Sequence, residues 1–380
     1  MFPNRHFSNW LEVDLTAIAG NVQQCLARTG VAVMAVVKAN AYGHGLVPVA
    51  KAAQRAGAGW CGVARVDEAL ELRQAGVDGP ILILGATPFE RMEQAVTAGV
   101  SMAVWEAAQV EAARTAAARA GQPARLHLKV DTGMTRLGIE PEAAEDLAHR
   151  IAATPGVELE GIFTHFARAD ERDPRPTEAQ ESLFRQVTTR LQEVGLRPPL
   201  VHAANSAAGL TRPSAWFDMV RIGIAMYGLD PSTECRLPDG FRPALSWKTV
   251  LTQVRRTPAG RGVSYGHTYV TRGEERVGVA PVGYGDGYRR VAGNQVLVGG
   301  RLVPVVGRVC MDQIMIQLDD VPEARPGDEV VLIGEQGGAR LTAEKLAERW
   351  GTFNYEVVCG LSARVTRLYF GQVEEPPSGS

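Results

Sequence analysis

Two periodicities alternate along the first 230 residues. Short runs of apolar and β-branched residues occupy 31–38, 59–64, 81–85, 101–105, 126–131, 161–165, 200–204 and 219–227. Between them the apolar positions recur at helical spacing, as with Leu46, Val49, Ala50 and Ala53, or Leu183, Phe184, Val187, Leu191 and Val194. Eight strand units separated by helices predict a (β/α)₈ TIM-like barrel, because a doubly wound sheet rarely needs so many evenly spaced units. The character changes after "DPSTECRLPDGFRP", 230–243, which is rich in turn formers and reads as a linker. Beyond it "VLTQVRR", "RVGVAPVGY", "NQVLVGGRLVPVVGRVC", "QIMIQLDD" and "EVVLIG" read as strands, with a hairpin across Gly299 and Gly300. Only "TAEKLAERW", 342–350, reads as a helix there. The expected organisation is an α/β barrel over 1–235 and a mainly-β domain over 236–380.

Composition narrows the function classes. The 380 residues are 45% hydrophobic and 22% charged, as in a soluble globular protein, with a net charge of -2. That charge gives no reason to expect nucleic acid or an anionic membrane as partner. No apolar run reaches the length of a membrane span. The opening "MFPNRHFSNW" lacks the apolar stretch of a secretory signal. Five scattered cysteines, with no C-x-x-C pair, argue against a disulfide framework or a zinc site and fit a reducing compartment. A cytoplasmic location is expected.

Chemistry in such barrels collects at the carboxyl ends of the strands. Lys38 closes the first run, Lys129 and Asp131 the fifth and His165 the sixth, while His202 and Arg221 lie on the seventh and eighth. Each has a structural alternative. His165 could be a hydrogen-bonded core histidine, Arg221 could pair with Asp218, and Lys129 could pair with Asp131. So many titratable groups at one end are harder to explain as core filling. A binuclear metal site would call for a His-x-His pair on the first strand, which is absent, so no metal is expected. The other chemistry open to a lysine at that position is a Schiff base with a carbonyl cofactor. Tyr42, Asn205, Ser206 and the backbone at Gly223 and Ile224 could serve a phosphate, which points to pyridoxal 5'-phosphate (PLP).

The motifs "AVVKANAYGHG", "LKVDTGMTRLG", "FTHFARAD", "HAANSAAG", "VRIGIAMYGL", "VSYGHTY", "VGYGDGY", "GRVCMDQ" and "NYEVVCGL" together resemble those of the bacterial alanine racemases. The resemblance runs in order over nearly the whole chain, from Trp10 to about Leu368. The resemblance implies a PLP-dependent isomerase, an N-terminal barrel and a C-terminal β domain that contributes to the partner's active site in a homodimer. It implies that Lys38 forms the internal aldimine and acts as one base, with Tyr265 of the other subunit as the opposite base. Tyr42, Ser206, Gly223, Ile224 and Tyr355 match the phosphate-binding set. Arg221 would face the pyridine nitrogen with His202 behind it, and His165 would lie against the ring. Arg136 would contact the cofactor's phenolic oxygen and the substrate carboxylate, and Met311 would offer that carboxylate a backbone N–H. Tyr284 and Asp312 match residues lining the way in. Lys129 matches a lysine carbamylated in some members.

Alanine is the substrate implied, since Tyr355 would narrow the pocket toward a methyl side chain, and D-alanine for peptidoglycan is the implied role. A racemase of serine or of a broader range would share the scaffold. A related PLP-barrel decarboxylase would call for recognition of a longer substrate, and no signature of that is present. A non-catalytic PLP carrier would have the barrel alone, so the β domain with Tyr265 argues against it. "GYGDGY", 283–288, imitates part of a dinucleotide loop but opens no helix.

Overall fold

The structure, a computed structural model, describes residues 8–371. Residues 1–7, part of the stretch read for a secretory signal, lie outside the described residues. The described chain falls into two compact units, 16–242 and a second made of 8–15 with 243–371. The unit that holds the barrel strands thus runs over 16–242, where 1–235 was expected. The first strand, β1 (Asn9–Asp14), is paired antiparallel to β10 (Leu245–Val250), with Leu11 opposite Trp247. Trp10, Leu11 and Val13 are buried, and that apolar content gives the strand a reason to join a sheet rather than to precede the barrel.

The first unit is the barrel. Its strands are β2 (Ala32–Val36), β3 (Trp60–Val63), β4 (Ile81–Ile83), β5 (Ser101–Val104), β6 (Ala124–Lys129), β7 (Val157–Phe163), β8 (Leu200–His202) and β9 (Met219–Ile222). All eight pair in parallel in the order β8-β7-β6-β5-β4-β3-β2-β9. Backbone bonds from Asp218 N–H to Val201 O (3.0 Å) and Arg221 N–H to Ala204 O (3.0 Å) link β8 to β9 and close the ring. Every expected strand run overlaps one of these, but β6 and β7 begin earlier, at Ala124 and Val157. The run 219–227 is strand only to Ile222, with Ile224–Tyr227 a 3₁₀ turn. The helix Leu46–Arg55 buries Leu46, Val49, Ala50 and Ala53, as its spacing requires. In the helix Arg175–Glu193 the buried face holds Phe184, Val187 and Leu191, whereas Leu183, expected on that face, is exposed.

The second unit is mainly β. After β10 come β11 (Gln253–Thr257), β12 (Gly262–Val263), β13 (Tyr269–Val270), β14 (Glu275–Ala280), β15 (Gln295–Val298), β16 (Arg301–Val306), β17 (Ile314–Gln317), β18 (Glu329–Gln336), β19 (Ala339–Leu341) and β20 (Thr366–Phe370). "VLTQVRR" is split at Leu251 and Thr252 between β10 and β11. The expected hairpin forms: β15 and β16 pair with Val298 opposite Arg301, and Gly299 and Gly300 both take positive φ, as a tight primed turn demands. Thr342 caps the helix Ala343–Trp350 through its side chain. A second helix, Asn354–Cys359, carries Tyr355 and was not expected. Its six residues are too few for periodicity to register. Tyr284–Asp286 is a single 3₁₀ turn closed by the Asp286 carboxylate on Gly283 N–H (2.8 Å), so "GYGDGY" opens no phosphate-binding helix.

Candidate active site

Strand β2 stops at Val36, and Lys38 opens a short turn, Lys38–Tyr42, instead of ending the strand. That turn is left-handed: Ala39, Asn40, Ala41 and Tyr42 have φ of 55, 53, 52 and 52°. Each non-glycine residue there costs about 1–2 kcal/mol, so neighbours must hold it. The Glu68 carboxylate accepts from Ala39 N–H at 2.6 Å and from Ala64 N–H at 2.7 Å, while Asn40 Oδ1 accepts from Leu46 N–H at 2.8 Å. Tyr42 stacks on Tyr227 with ring centres 4.9 Å apart, and the Tyr227 hydroxyl donates to Val36 O. The lysine is thus set by a strained backbone clamped from both sides.

A second loop positions Arg136. The Asp131 carboxylate accepts four backbone N–H groups, from Gly133, Met134, Thr135 and Arg136, at 2.9 to 3.1 Å. Burial pushes its acidity down, but those four bonds prevail and hold it below the usual carboxylate range. Asp131 is spent on shaping its loop, and among the described residues no ion pair joins it to Lys129. Nor does Arg221 pair with Asp218, which instead meets Arg197 at 2.8 Å. Arg221 is buried, with Nη1 on His202 Nδ1 (2.9 Å) and His202 O (3.0 Å). Its Nη2 reaches Thr164 O (2.8 Å), Ala203 O (2.9 Å) and His165 Nδ1 (3.2 Å).

Lys38, Lys129, Arg136 and Arg221 converge electrostatically on His165. Burial first, then Arg221, Arg136, Lys129 and Lys38 in turn, hold that imidazole well below the usual histidine range. Lys129 is pushed down to about 8 by burial, then by Arg136, Arg221 and Lys38, against a weak pull from Asp131. Its ammonium lies 5.2 Å from the centre of the Phe163 ring. So strongly cationic a pocket calls for anions. Beside it Asn205 caps the helix Ser206–Thr211, with Oδ1 on Ala208 N–H at 3.1 Å. Ser206 Oγ accepts from Gly223 N–H (2.9 Å) and Ala225 N–H (3.4 Å). Gly223 passes so near Tyr42 that a Cβ there would lie 2.6 Å from its hydroxyl. Ser206, Gly223, Ile224 and Tyr42 therefore form one polar cradle.

The β unit carries the remaining candidates. The Tyr284 and Gly285 N–H groups donate to Cys310 O and Met311 O at 3.0 and 2.9 Å. Arg364 bridges Asp286 (2.7 Å) and Asp312 (2.5 Å). Tyr265 follows Ser264, whose φ is 62° and whose hydroxyl donates to Arg308 O at 2.6 Å. One loop cluster thus presents Tyr265, Tyr284, Met311 and Asp312, and Tyr265 is 67% exposed. Tyr355 stands beside Phe353 with ring centres 5.4 Å apart. Sequence reasoning missed Glu68 and the buried His127 of "LHLKVD". The first is a helix-surface glutamate by pattern, and the second alternates inward on a strand read only for its end.

Residues 13–231 match the family model described as alanine racemase, N-terminal domain, and 244–369 match the alanine racemase C-terminal domain. An alanine racemase of Symbiobacterium thermophilum is 46% identical over 96% of this chain and 97% of its own length. One of Halalkalibacterium halodurans is 45% identical over 97% of each. Among solved structures, alanine racemase from Bacillus anthracis with bound L-Ala-P is 42% identical with a TM-score of 0.91, covering 97% of this chain and 96% of that one. The Clostridium difficile 630 enzyme is 36% identical with a TM-score of 0.93, over 98% of both chains. Agreement of this extent through both units leaves one conclusion: the chain belongs to the alanine racemase family.

Proposed function

We propose that the chain interconverts L-alanine and D-alanine with PLP as cofactor, and that Lys38 and Tyr265 are the bases on opposite faces of the substrate. The observation that carries the residue assignment is Arg221 Nη2 set 3.2 Å from His165 Nδ1, with the charges of Arg136, Lys129 and Lys38 also acting on that imidazole. Such a pocket fits PLP. The cradle of Tyr42, Ser206, Gly223 and Ile224, with Asn205 alongside and Tyr355 from the β unit, would hold the phosphate. Glycine at 223 supports this, since no side chain fits under the Tyr42 hydroxyl. Arg221 would face the ring nitrogen, His202 would back it, and His165 would lie against the ring. When bound, PLP supplies an electrophilic carbon for an amine and a sink for the electrons left by a departing α-proton.

The chain's own groups do the rest. Inversion needs a proton taken from one face and returned on the other, which two bases achieve directly. Lys38 Nζ serves one face and the Tyr265 hydroxyl the other. Arg136 and the Met311 N–H orient the substrate carboxylate, so that the α-carbon stays between the bases. Arg221, a guanidinium, has no proton acceptor and stays charged, so it gives the ring nitrogen no proton. That restrains the electron sink and disfavours protonation at the wrong carbon. Lys129 supports the site as a charge close to Arg136, and Tyr284 and Asp312 line its approach. Tyr265 and Met311 act on the site of a second copy, which makes the homodimer the working unit. The exposure of Tyr265, and of Met311 at 53%, supports that reading. We place the enzyme in the cytoplasm, supplying D-alanine for peptidoglycan, with no nucleic-acid or membrane partner; no helix of the described residues is long and apolar enough to cross a membrane.

The test is a proton NMR time course of L-alanine in deuterated water with the protein and PLP. Loss of the α-proton signal with D-alanine formed is the expected result. Exchange without D-alanine would leave only the base on the L face working and overturn the two-base assignment. No exchange at all would overturn the assignment.

A further inference from the structure

Behind Arg221 a line of polar groups crosses the barrel interior away from the reacting centre. His202 Nε2 lies 2.9 Å from His127 Nδ1, and His127 Nε2 lies 3.1 Å from Glu160 Oε2. The Ser101 hydroxyl donates to the same carboxylate oxygen. The five residues come from β9, β8, β6, β7 and β5, so the line joins strands far apart in the chain.

Its direction follows from chemistry. A guanidinium only donates, so His202 Nδ1 must accept from Arg221. A neutral His202 then carries its proton on Nε2 and donates to His127 Nδ1. His127 in turn carries its proton on Nε2 and donates to Glu160. Both imidazoles are fully buried, and burial holds both below the usual histidine range. The contact to Glu160 is therefore a bond from a neutral ring to a carboxylate, not an ion pair. Burial raises the Glu160 carboxyl, but the bonds from His127 and Ser101 outweigh it and keep it below its usual value. At neutral pH the line runs from a cation to an anion with every donor pointing the same way.

The surroundings are built for it. A Cβ at Gly161 would lie 2.3 Å from His127 Nδ1, and the β6–β7 register shifts between Leu126 and His127 to seat that ring. Phe163 stacks on His202 at 4.9 Å with the planes 4° apart. Among the described residues Arg221 has no carboxylate at ion-pair distance. Burial alone pulls its guanidinium down to about 9, and Glu160 is the anion its hydrogen bonds lead to.

We propose that Glu160 is a positioning residue for racemisation, which through His127 and His202 holds Arg221 charged and fixed in orientation. The inference rests on the assignment of Arg221 to the cofactor ring. The first measurement is ¹⁵N-histidine NMR of the apoprotein. Neutral Nε2–H tautomers at both His127 and His202, with the His127 Nε2 proton far downfield, are expected; an Nδ1–H tautomer at either ring overturns the proposal. Glu160→Gln keeps an acceptor oxygen but loses the charge. It should move that proton upfield, shift the absorption maximum of the PLP-loaded enzyme, and lower kcat about tenfold, the scale usual for outer hydrogen-bond partners, with KM within about twofold. Should that variant fail to fold, Ser101→Ala should shift the same proton and spectrum the same way, by less. Wild-type kcat and spectrum in Glu160→Gln overturn the proposal if Arg221→Lys changes them; if Arg221→Lys also leaves them unchanged, the Arg221 assignment falls and carries the proposal with it.

Discussion

At the scale of single residues the site is governed by charge held out of water. Lys129 is the plainest case, with its ordinary value near 10.5 brought to about 8 in the fold by burial and by Arg136, Arg221 and Lys38. A shift of that size is worth on the order of 3 kcal/mol at most. Because the folded value is the lower one, the cost is full below pH 8. It is released as pH rises from about 8 to about 10.5, where the unfolded chain binds the extra proton. Lys129→Met keeps the stem beside Phe163 and removes the charge. In CO₂-free buffer its Tm should exceed the parent's at pH 7, and the gain should shrink toward pH 10.5; an equal gain at both ends would refute this account of Lys129. Tyr265→Phe tests the base proposed for the opposite face. It should slow α-deuterium incorporation into L-alanine more than into D-alanine, and equal slowing would remove Tyr265 as a face-specific base.

At the scale of elements, the left-handed turn after β2 shows what pattern could and could not reveal. The apolar run ending near Lys38 was legible, as were all eight barrel strands, because burial on both faces writes itself as continuous hydrophobicity. The backbone sign at Ala39 to Tyr42 was not, since alanine and tyrosine give no warning of positive φ. β1 and the helix Asn354–Cys359 escaped for want of length and sequential neighbours, and β1 belongs to the second unit although it precedes the barrel in the chain. The residues that resemble the family's motifs were legible by number. What holds them, Glu68 at the turn and Asp131 at its loop, is a matter of tertiary contact. Glu68→Ala should remove the carboxylate shared by the N–H groups of Ala39, Ala64 and Arg65. A loss of about 1–3 kcal/mol in urea unfolding is expected, with faster amide exchange at those three positions. Ala39→Gly, at an exposed site, should instead gain up to about 1 kcal/mol by relieving the positive φ. If both variants unfold like the parent, the turn is not under strain.

At the scale of the molecule, the question is whether one chain can complete a site. Lys38 stands on the barrel unit and Tyr265 on the β unit, so the two proposed bases can be removed independently by Lys38→Ala and Tyr265→Phe. In the proposed homodimer, each variant alone lacks one of these groups in both sites. If Tyr265 serves the second copy's Lys38, a hybrid of the two variants has one site with both bases lost and one site intact. Random exchange makes half the dimers hybrids, so a mixture of the two inactive proteins should recover about one quarter of the parent activity. If Tyr265 served its own chain, no hybrid site would hold both bases and mixing would recover nothing. Recovery should follow the rate of subunit exchange and stop when exchange is blocked by cross-linking before mixing. A signal that appears without exchange would mean residual activity of one variant and would leave the shared site unsupported.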